Sequence, residues 1–267
     1  MSFRMLLIAG HGKNVNGTYD SGAVGCGYEE AKLTRELVNL VKTEADRQGV
    51  PCDVAPDRNT YSFLRSGGTM DFKAYTYVLE IHFNAGGTVD AAGDGHKKGS
   101  MFYISQSERG HSVEDGILAN LYALGSVKAW DGVVVAQRQW PAGLLVQERV
   151  RAQGVSHGLL ETCFVSDRDD MNWYQANKGA IAAAIVSGVV SGFKLSGQNS
   201  FAHYMVKVTD AALNIRAGAG VANGITGVIR DHGCYTIVAE TKTADGETWG
   251  KLKSGAGWIN LRYTRRV

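Results

Sequence analysis

The stretch Phe3-Arg-Met-Leu-Leu-Ile-Ala9 lies near the start of a chain of 267 residues and decides the fold class. Its apolar run has the length of a buried strand, and a polar, glycine-rich loop follows over residues 10–27. From Glu29 the apolar residues recur at helical spacing as far as Gly49. A buried strand, a loop and an amphipathic helix in this order predict an α/β domain.

The alternation of strands and helices continues to residue 193. Strands are predicted over residues 51–55, 77–83, 100–105, 133–136 and 158–165, helices over 113–127 and 178–193, and a short helix is one interpretation of 61–75. Strands that alternate with helices form layered domains with a largely parallel sheet. We therefore expect a central, mostly parallel sheet flanked by helices in a domain over residues 1–194.

The pattern changes after this domain. Residues 195–202 have the composition of a linker, and residues 203–267 contain short β-like runs separated by turn residues, which predicts a small all-β barrel. This tail carries nine Lys and Arg against five Asp and Glu, although the whole chain has a net charge of only +2. The excess suits an anionic partner but is too small to predict a nucleic-acid-binding protein.

The N-terminal apolar run is shorter than that of a signal peptide, and no stretch approaches the roughly 20 apolar residues that span a bilayer. We therefore expect a protein that is made in the cytoplasm, lacks a signal peptide and is not a membrane protein. Its four cysteines include no C-x-x-C pair, which favours reduced, structural thiols. The sequence makes no prediction of the oligomeric state.

Four dispersed residues, His11, Glu29, His82 and Glu161, stand where predicted strands end or a helix begins. Ligands of open α/β sheets bind outside the carboxyl ends of the strands, so these side chains can meet at one edge. Two imidazoles and a carboxylate can hold a catalytic zinc ion, and a further carboxylate can move protons beside it. Spacing alone makes the chain no more than a candidate metallohydrolase, because such scattered residues arise readily by chance.

The sequences around these residues are more specific. Five blocks occur in the following order: Ala9-Gly10-His11-Gly12, Asp20-Ser-Gly-Ala23, Gly27-Tyr-Glu29, Ile81-His82-Phe-Asn84-Ala85 and Leu160-Glu161-Thr-Cys-Phe164-Val-Ser166. Together they closely resemble the zinc-dependent N-acetylmuramoyl-L-alanine amidases, which are peptidoglycan hydrolases of bacteria and their phages. The resemblance covers residues 3 to about 193.

The resemblance implies a sheet of about six strands, zinc bound by His11, Glu29 and His82, and Glu161 as the catalytic carboxylate. The implied reaction is hydrolysis of the amide that joins the lactyl group of N-acetylmuramic acid to L-alanine in peptidoglycan. Asn84 and Arg149 are further candidates for contacts with the substrate.

The chain departs from the family pattern at several positions. The usual serine two residues before the second histidine is Glu80, and the usual glycine two residues after the catalytic glutamate is Cys163. Glu80 shares a strand face with His82 and is a candidate for orienting it. The other histidines, His157 among them, lack family context and are expected in surface or capping roles.

The tail resembles bacterial SH3-like domains, which commonly bind cell-wall peptides, over residues 205–264. The similar blocks are Ala212-Leu-Asn-Ile-Arg-Ala-Gly218, Gly227-Val-Ile229, Thr248-Trp-Gly-Lys-Leu252 and Gly257-Trp-Ile-Asn260. Arg216, Trp249 and Trp258 are the candidate wall-binding residues of an SH3-like domain over residues 203–267. The alternative is that the tryptophans pack in the core of the barrel.

Other functions remain open at this point. One alternative is a thiol hydrolase of the wall with Cys163 or Cys26 as the nucleophile. Another keeps the zinc but cleaves a peptide bond within the stem peptide or cross-bridge, and a third is a wall-binding protein without activity. The expected lack of a signal peptide favours a phage endolysin, which is made in the host cytoplasm and acts on the wall after release.

Overall fold

The computed structural model describes residues 3–195, 204–243 and 245–267, and the chain divides into two compact units. The first unit comprises Met1–Gln198 and the second Asn199–Val267. The predicted linker at residues 195–202 lies, apart from Leu195, outside the described residues. Among the helices described, none combines the length and apolar character that crossing a bilayer requires.

The first unit alternates strands and helices. Its strands are β1 Met5–Ala9, β2 Gly12–Lys13, β3 Tyr19–Asp20, β4 Val24–Gly25, β5 Tyr28–Glu29, β6 Cys52–Val54, β7 Tyr77–Asn84, β8 Ser100–Ile104, β9 Lys128–Val135 and β10 Ser156–Phe164. Its α-helices are α1 Glu30–Gln48, α2 Thr60–Arg65, α3 Ser112–Ala123, α4 Leu145–Arg151 and α5 Arg168–Gly192, and a 3₁₀-helix spans Ala136–Arg138. The loop after β1, predicted to be irregular, contains the two short antiparallel pairs β2–β3 and β4–β5.

Six of these strands form one sheet in the order β6-β1-β7-β10-β8-β9. Strands β6, β1, β7 and β10 run parallel to one another. Strand β8 is antiparallel to β10, and β9 runs parallel to β8. The predicted six-stranded, mostly parallel sheet is therefore confirmed.

Helices cover both faces of the sheet because the central strands are apolar on both faces. In β1, Met5 and Leu7 pack in the cluster that includes α1, α3 and α5. Leu6 and Ile8 point the other way and pack with residues of α2 and α4. On that second face, polar residues replace apolar ones near the carboxyl ends of β7 and β10, and this is where the candidate site lies.

The observed helices agree with the sequence prediction to different degrees. Helix α1 matches the prediction and ends at Gly49, whose left-handed backbone (φ 70°) is one that glycine adopts without strain. Helix α5 begins ten residues earlier than predicted, because Asp167 caps it by accepting a hydrogen bond from the Asp170 N–H at 2.9 Å. Helix α4, which was not predicted, contributes Val146 and Val150 to the core.

The second unit is all-β, as predicted. Its strands are β11 Tyr204–Val208, β12 Leu213–Arg216, β13 Ile225–Ile229, β14 Cys234–Lys242, β15 Thr248–Leu252, β16 Trp258–Asn260 and β17 Thr264–Arg266. They form an antiparallel sheet in the order β13-β12-β16-β15-β14-β11-β17. Its core includes Val206, Leu213, Ile237 and Ile259. Strand β17 was not predicted and pairs with β11.

Candidate active site

His11 follows β1 directly and is held by a carboxylate on each side of its ring. Its Nδ1 lies 2.9 Å from Asp20 Oδ2, and its Nε2 lies 3.1 Å from Glu30 Oε2. Asp20 is fixed in turn by the Asn59 side-chain amide, which donates to Oδ2 at 3.0 Å. The backbone of His11 is left-handed (φ 60°), an unusual conformation for a residue with a side chain and one that is found at functional sites.

His82 projects from β7 and is also held between two carboxylates. Its Nδ1 lies 2.8 Å from Glu30 Oε1, and its Nε2 lies 3.2 Å from Glu80 Oε1. Each histidine therefore directs one nitrogen at Glu30 and the other at a carboxylate that fixes the orientation of the ring, as metal-binding histidines commonly do.

Glu80 is buried and connects His82 to a second histidine. Its Oε2 lies 3.2 Å from Nε2 of His157, which is fully buried in β10. Burial raises the pKa of Glu80, but the hydrogen bonds from His157 and His82 outweigh it and lower the pKa to about 2. The surface or capping role predicted for His157 is therefore wrong, since its ring braces the carboxylate that orients His82.

Glu30, and not Glu29, lies between the two histidines. Glu30 is 4% exposed, and its carboxylate also accepts hydrogen bonds from the backbone N–H groups of Phe83, at 3.1 Å, and Ala23, at 2.8 Å. Burial raises its pKa, but the hydrogen bonds from His11 and His82 outweigh it and hold the pKa well below its usual range. Both carboxylate oxygens are thus fixed toward the imidazoles.

The predicted position of Glu29 in this group is wrong. Its carboxylate is partly exposed and accepts a hydrogen bond from Lys32 Nζ at 2.9 Å. Glu29 is the last residue of β5 and precedes the first turn of α1, whereas Glu30 begins the helix. Sequence spacing does not separate two adjacent glutamates at such a boundary, although one of them must point away from the histidines.

The donor atoms of His11, Glu30 and His82 lie within 4.8 Å of one another, which is compact enough for one metal ion. Two glycines make this close approach possible. A Cβ at Gly10 would lie 2.3 Å from Cε1 of the His82 ring, and one at Gly22 would lie 2.5 Å from Glu30 Oε2. Any side chain at either position would displace a member of the group.

Glu161 is placed beside this group by the register of the sheet. It pairs with His82 across the parallel strands β10 and β7, so the two side chains share a face. Its Oε2 atom is buried and has no hydrogen-bond partner among the described residues. Burial, together with the charge of Glu30, raises the pKa of Glu161 to about 7. A carboxyl group with this pKa can both accept and donate a proton near neutral pH.

A cavity of about 450 Å³ opens next to these residues. Its polar wall includes His11, Asp20, Glu80 and His82. The remaining wall is largely apolar and aromatic: Tyr61, Trp140, Leu144, Leu145, Val146 and Leu159. An apolar cavity with a few convergent polar groups is the usual form of a small-molecule or substrate site.

The other predicted substrate contacts have different surroundings. Asn84 lies two residues after His82 on the same strand face, and its side-chain nitrogen lies 3.8 Å from Met101 Sδ. Arg149 is exposed on α4 and is not among the residues that line the cavity. Asn84 thus shares a strand face with His82 and Arg149 lies on a helix, but neither is among the residues that line the cavity.

The two cysteines that could serve as a nucleophile, Cys26 and Cys163, are both buried. Burial raises the pKa of each thiol, and for Cys163 it does so strongly. A nucleophilic cysteine needs the opposite shift, toward thiolate at neutral pH. The environments of these residues therefore disfavour a thiol hydrolase.

The three candidate wall-binding residues of the second unit differ in burial. Trp249 is 3% exposed and lies in the interior, contrary to its predicted contact with the wall. Arg216 is partly buried and donates hydrogen bonds to the backbone oxygens of Val221, at 3.0 Å, and Asn223, at 2.7 Å, which fixes the loop before β13. Trp258 keeps a partly exposed ring.

A His–Glu–His group at the carboxyl edge of an open α/β sheet, with a buried carboxyl group beside it, is the donor arrangement of metal-dependent hydrolases. The chain belongs to the N-acetylmuramoyl-L-alanine amidase family Amidase_3, whose sequence profile matches residues 5–191. This match confirms the family predicted from the sequence.

Individual proteins are also similar to this chain. A probable autolysin of Staphylococcus aureus (strain NCTC 8325 / PS 47) is 28% identical over 223 residues, which are 73% of this chain and 42% of that protein. The chain thus spans less than half of the length of this relative.

Two solved structures share the fold of the first unit. The catalytic domain of the CD27L endolysin targeting Clostridia difficile has a TM-score of 0.51 and 21% identity, covering 71% of this chain and 97% of that domain. The CwlD amidase from Clostridioides difficile, solved in complex with the GerS lipoprotein, has a TM-score of 0.53 and 13% identity, covering 72% of this chain and 100% of that chain.

Proposed function

We propose that the first unit is a zinc-dependent amidase that hydrolyses the bond between the lactyl group of N-acetylmuramic acid and L-alanine in peptidoglycan. The observation that carries this proposal is the position of Glu161 opposite His82 in the sheet, beside the His11–Glu30–His82 group, whose two histidines line a cavity. Membership of the amidase family supports the choice of substrate.

The donor set fits zinc. His11, Glu30 and His82 supply two imidazole nitrogens and a carboxylate, and three protein ligands of this kind leave a position open for water. Zinc bound there would lower the pKa of a water molecule and polarise the scissile carbonyl group. Asp20 and Glu80 fix the two rings, so the donors are already oriented.

Glu161 is the proton carrier in this proposal. Its carboxyl group lies opposite His82 in the sheet, where it would take a proton from the attacking water and return one to the leaving nitrogen of L-alanine. The unpaired Oε2 atom is available for this exchange, since no other described side chain occupies it.

We further propose that the second unit is an SH3-like domain that binds the cell wall and that the protein acts as a phage endolysin, released from the host cytoplasm. The resemblance of residues 205–264 and the excess of basic residues over 203–267 support the first part. Trp258 is partly exposed and is therefore available to contact the wall. An inactive Glu161→Gln protein should sediment with purified walls, and Trp258→Ala should weaken this binding. Intact walls that stay inert to protein added from outside would contradict the endolysin role.

Digestion of purified peptidoglycan followed by mass spectrometry tests the reaction itself. The proposal expects stem peptides with a free N-terminal L-alanine and glycan chains whose lactyl groups carry free carboxylates. Chelation should stop the release of both products, and alkylation of thiols should not. New amino termini within the stem peptide or cross-bridge would instead identify an endopeptidase.

A further inference from the structure

Four aromatic rings form a continuous strip on the sheet face that carries Glu161. Trp140, Tyr103, Trp130 and Phe164 follow one another with ring centroids 5.2, 6.4 and 6.3 Å apart. Tyr103 and Phe164 are buried, but Trp130 and Trp140 are 57% and 43% exposed. We call these four residues the aromatic strip. It presents two large apolar rings to solvent over an ordered aromatic base.

The aromatic strip is continuous with the candidate active site. Strands β8 and β10 are antiparallel, and their register places Met101 opposite Glu161 and Tyr103 opposite Leu159, so these side chains share one face. Burial, together with the charge of Glu161, raises the pKa of Tyr103 to about 12. At the end of the strip, Trp140 lines the same cavity as His11 and His82.

Trp130 is held out of the sheet by an irregularity in the edge strand β9. The register jumps from Ser100–Lys128 to Phe102–Val133, so β9 accommodates extra residues at this point. Trp130 itself has a left-handed backbone (φ 46°), which is costly for a bulky residue. Its ring contacts Tyr103 and Phe164, yet more than half of the residue remains exposed. Strain of this kind is characteristic of ligand-binding positions.

We propose that the aromatic strip binds the glycan strand of peptidoglycan, with sugar rings stacked on Trp130 and Trp140. The proposal rests on the proposed amidase function. The scissile amide joins a sugar to a peptide, so the sugar must lie close to Glu161. Pyranose rings of N-acetylated sugars present C–H faces, which pack well on flat aromatic rings. Charged stem peptides match such a surface less well.

Binding of a peptide-free tetrasaccharide of alternating N-acetylglucosamine and N-acetylmuramic acid tests the strip. This probe has no amide bond to the stem peptide, so its binding to the full-length protein can be measured by calorimetry without cleavage. Trp130→Gly and Trp140→Ala should each weaken binding about tenfold. Glycine is chosen at position 130 because it adopts a positive φ without strain.

A matched control and a rescue separate binding from folding. Tyr19→Ala removes a ring of the first unit that is 55% exposed but lies outside the strip, and it should bind the tetrasaccharide as the wild type does. Trp140→Phe, which keeps an aromatic face, should restore most of the affinity lost in Trp140→Ala. Unchanged binding in both tryptophan variants, or no binding by the wild type, would overturn the proposal.

The binding experiment on the aromatic strip and the cleavage experiment on walls can fail separately. If walls are cleaved at the lactyl amide but the tryptophan variants bind the tetrasaccharide normally, the strip is not a glycan site and the amidase remains. If the walls are not cleaved but binding depends on Trp130 and Trp140, the glycan site remains and the amidase assignment fails.

Discussion

Glu161 and His82 lie directly opposite each other in neighbouring parallel strands, and both side chains project from the same face of the sheet. Their separation is therefore set by the hydrogen bonds of β7 and β10 and not by a loop. A carboxyl group that is fixed in this way keeps its distance from the His11–Glu30–His82 group without a ligand to organise it.

Glu161→Gln should separate catalysis from metal binding. Removing a positioned acid–base group typically slows a reaction by about 10²- to 10⁴-fold, and we expect a loss of kcat in this range. Because Glu161 is not a donor in the His11–Glu30–His82 group, the zinc content of the variant should equal that of the wild type. Wall-lysis rates and metal analysis on the same samples give both quantities. Loss of zinc in this variant would show that Glu161 is a ligand.

The adjacent pair Glu29 and Glu30 offers an internal comparison. Glu30→Gln should lower zinc affinity by more than the 10- to 100-fold typical of residues that only orient a ligand, since it removes a donor. Glu29→Gln should leave zinc affinity and wall lysis unchanged, because Glu29 contacts Lys32 at the surface. Competition with a chromogenic chelator measures both affinities. If Glu29→Gln lowered zinc affinity and Glu30→Gln did not, Glu29 would be the ligand that the sequence predicts, and the role assigned to Glu30 from its position in the structure would be wrong.

The buried contact between Glu80 and His157 should affect zinc through His82. Glu80→Gln should weaken zinc binding by about 10- to 100-fold. His157→Phe should have a smaller effect on zinc and lower the free energy of unfolding by about 1–3 kcal/mol, because one oxygen of Glu80 stays buried without its partner. The effects of the two substitutions should not add in the double variant, since they remove one interaction. Strictly additive losses would show that the two residues act separately.

Glu114 should make stability depend on pH away from the active site. Burial raises its pKa from 4.5 to about 7, although the Tyr77 hydroxyl donates to it at 2.8 Å. The folded state therefore prefers the protonated form, so this contribution to stability is complete below pH 4.5 and is lost as the pH rises through 7.

Urea unfolding of the wild type and Glu114→Gln, both in excess chelator, measures this contribution. The free energy of unfolding of the wild type, relative to that of the variant, should fall by up to ~3 kcal/mol between pH 4.5 and pH 7. The chelator removes the pH dependence of zinc binding from both curves. A difference between the proteins that does not change with pH would contradict the shift in the pKa.

The sequence predicts those parts of the molecule that depend on local pattern. The apolar runs place β1, β7 and β10 correctly, and the two-residue period of a strand correctly puts Glu80 on the same face as His82. The positions of His11, His82 and Glu161 follow from strand ends that share one edge. These predictions succeed because each depends on a short segment and on one general rule of parallel sheets.

Other features depend on contacts that no local pattern contains. His157 meets Glu80 only because β10 pairs with β7, and a buried histidine has no sequence signature of its own. The adjacent glutamates at the start of α1 differ only in which of them points inward. The aromatic strip depends on an irregular register in β9, which a period of two does not predict.

The His11–Glu30–His82 group takes its members from different layers of the first unit. Helix α1 packs on one face of the sheet, whereas His82 projects from the other, and Glu30 at the start of α1 joins them around the sheet edge. Any ion held by all three would cross-link the two layers and would add its binding free energy to that of unfolding. Chelation would then shorten the lifetime of the protein as well as stop its reaction, so metal supply would set how long the enzyme persists.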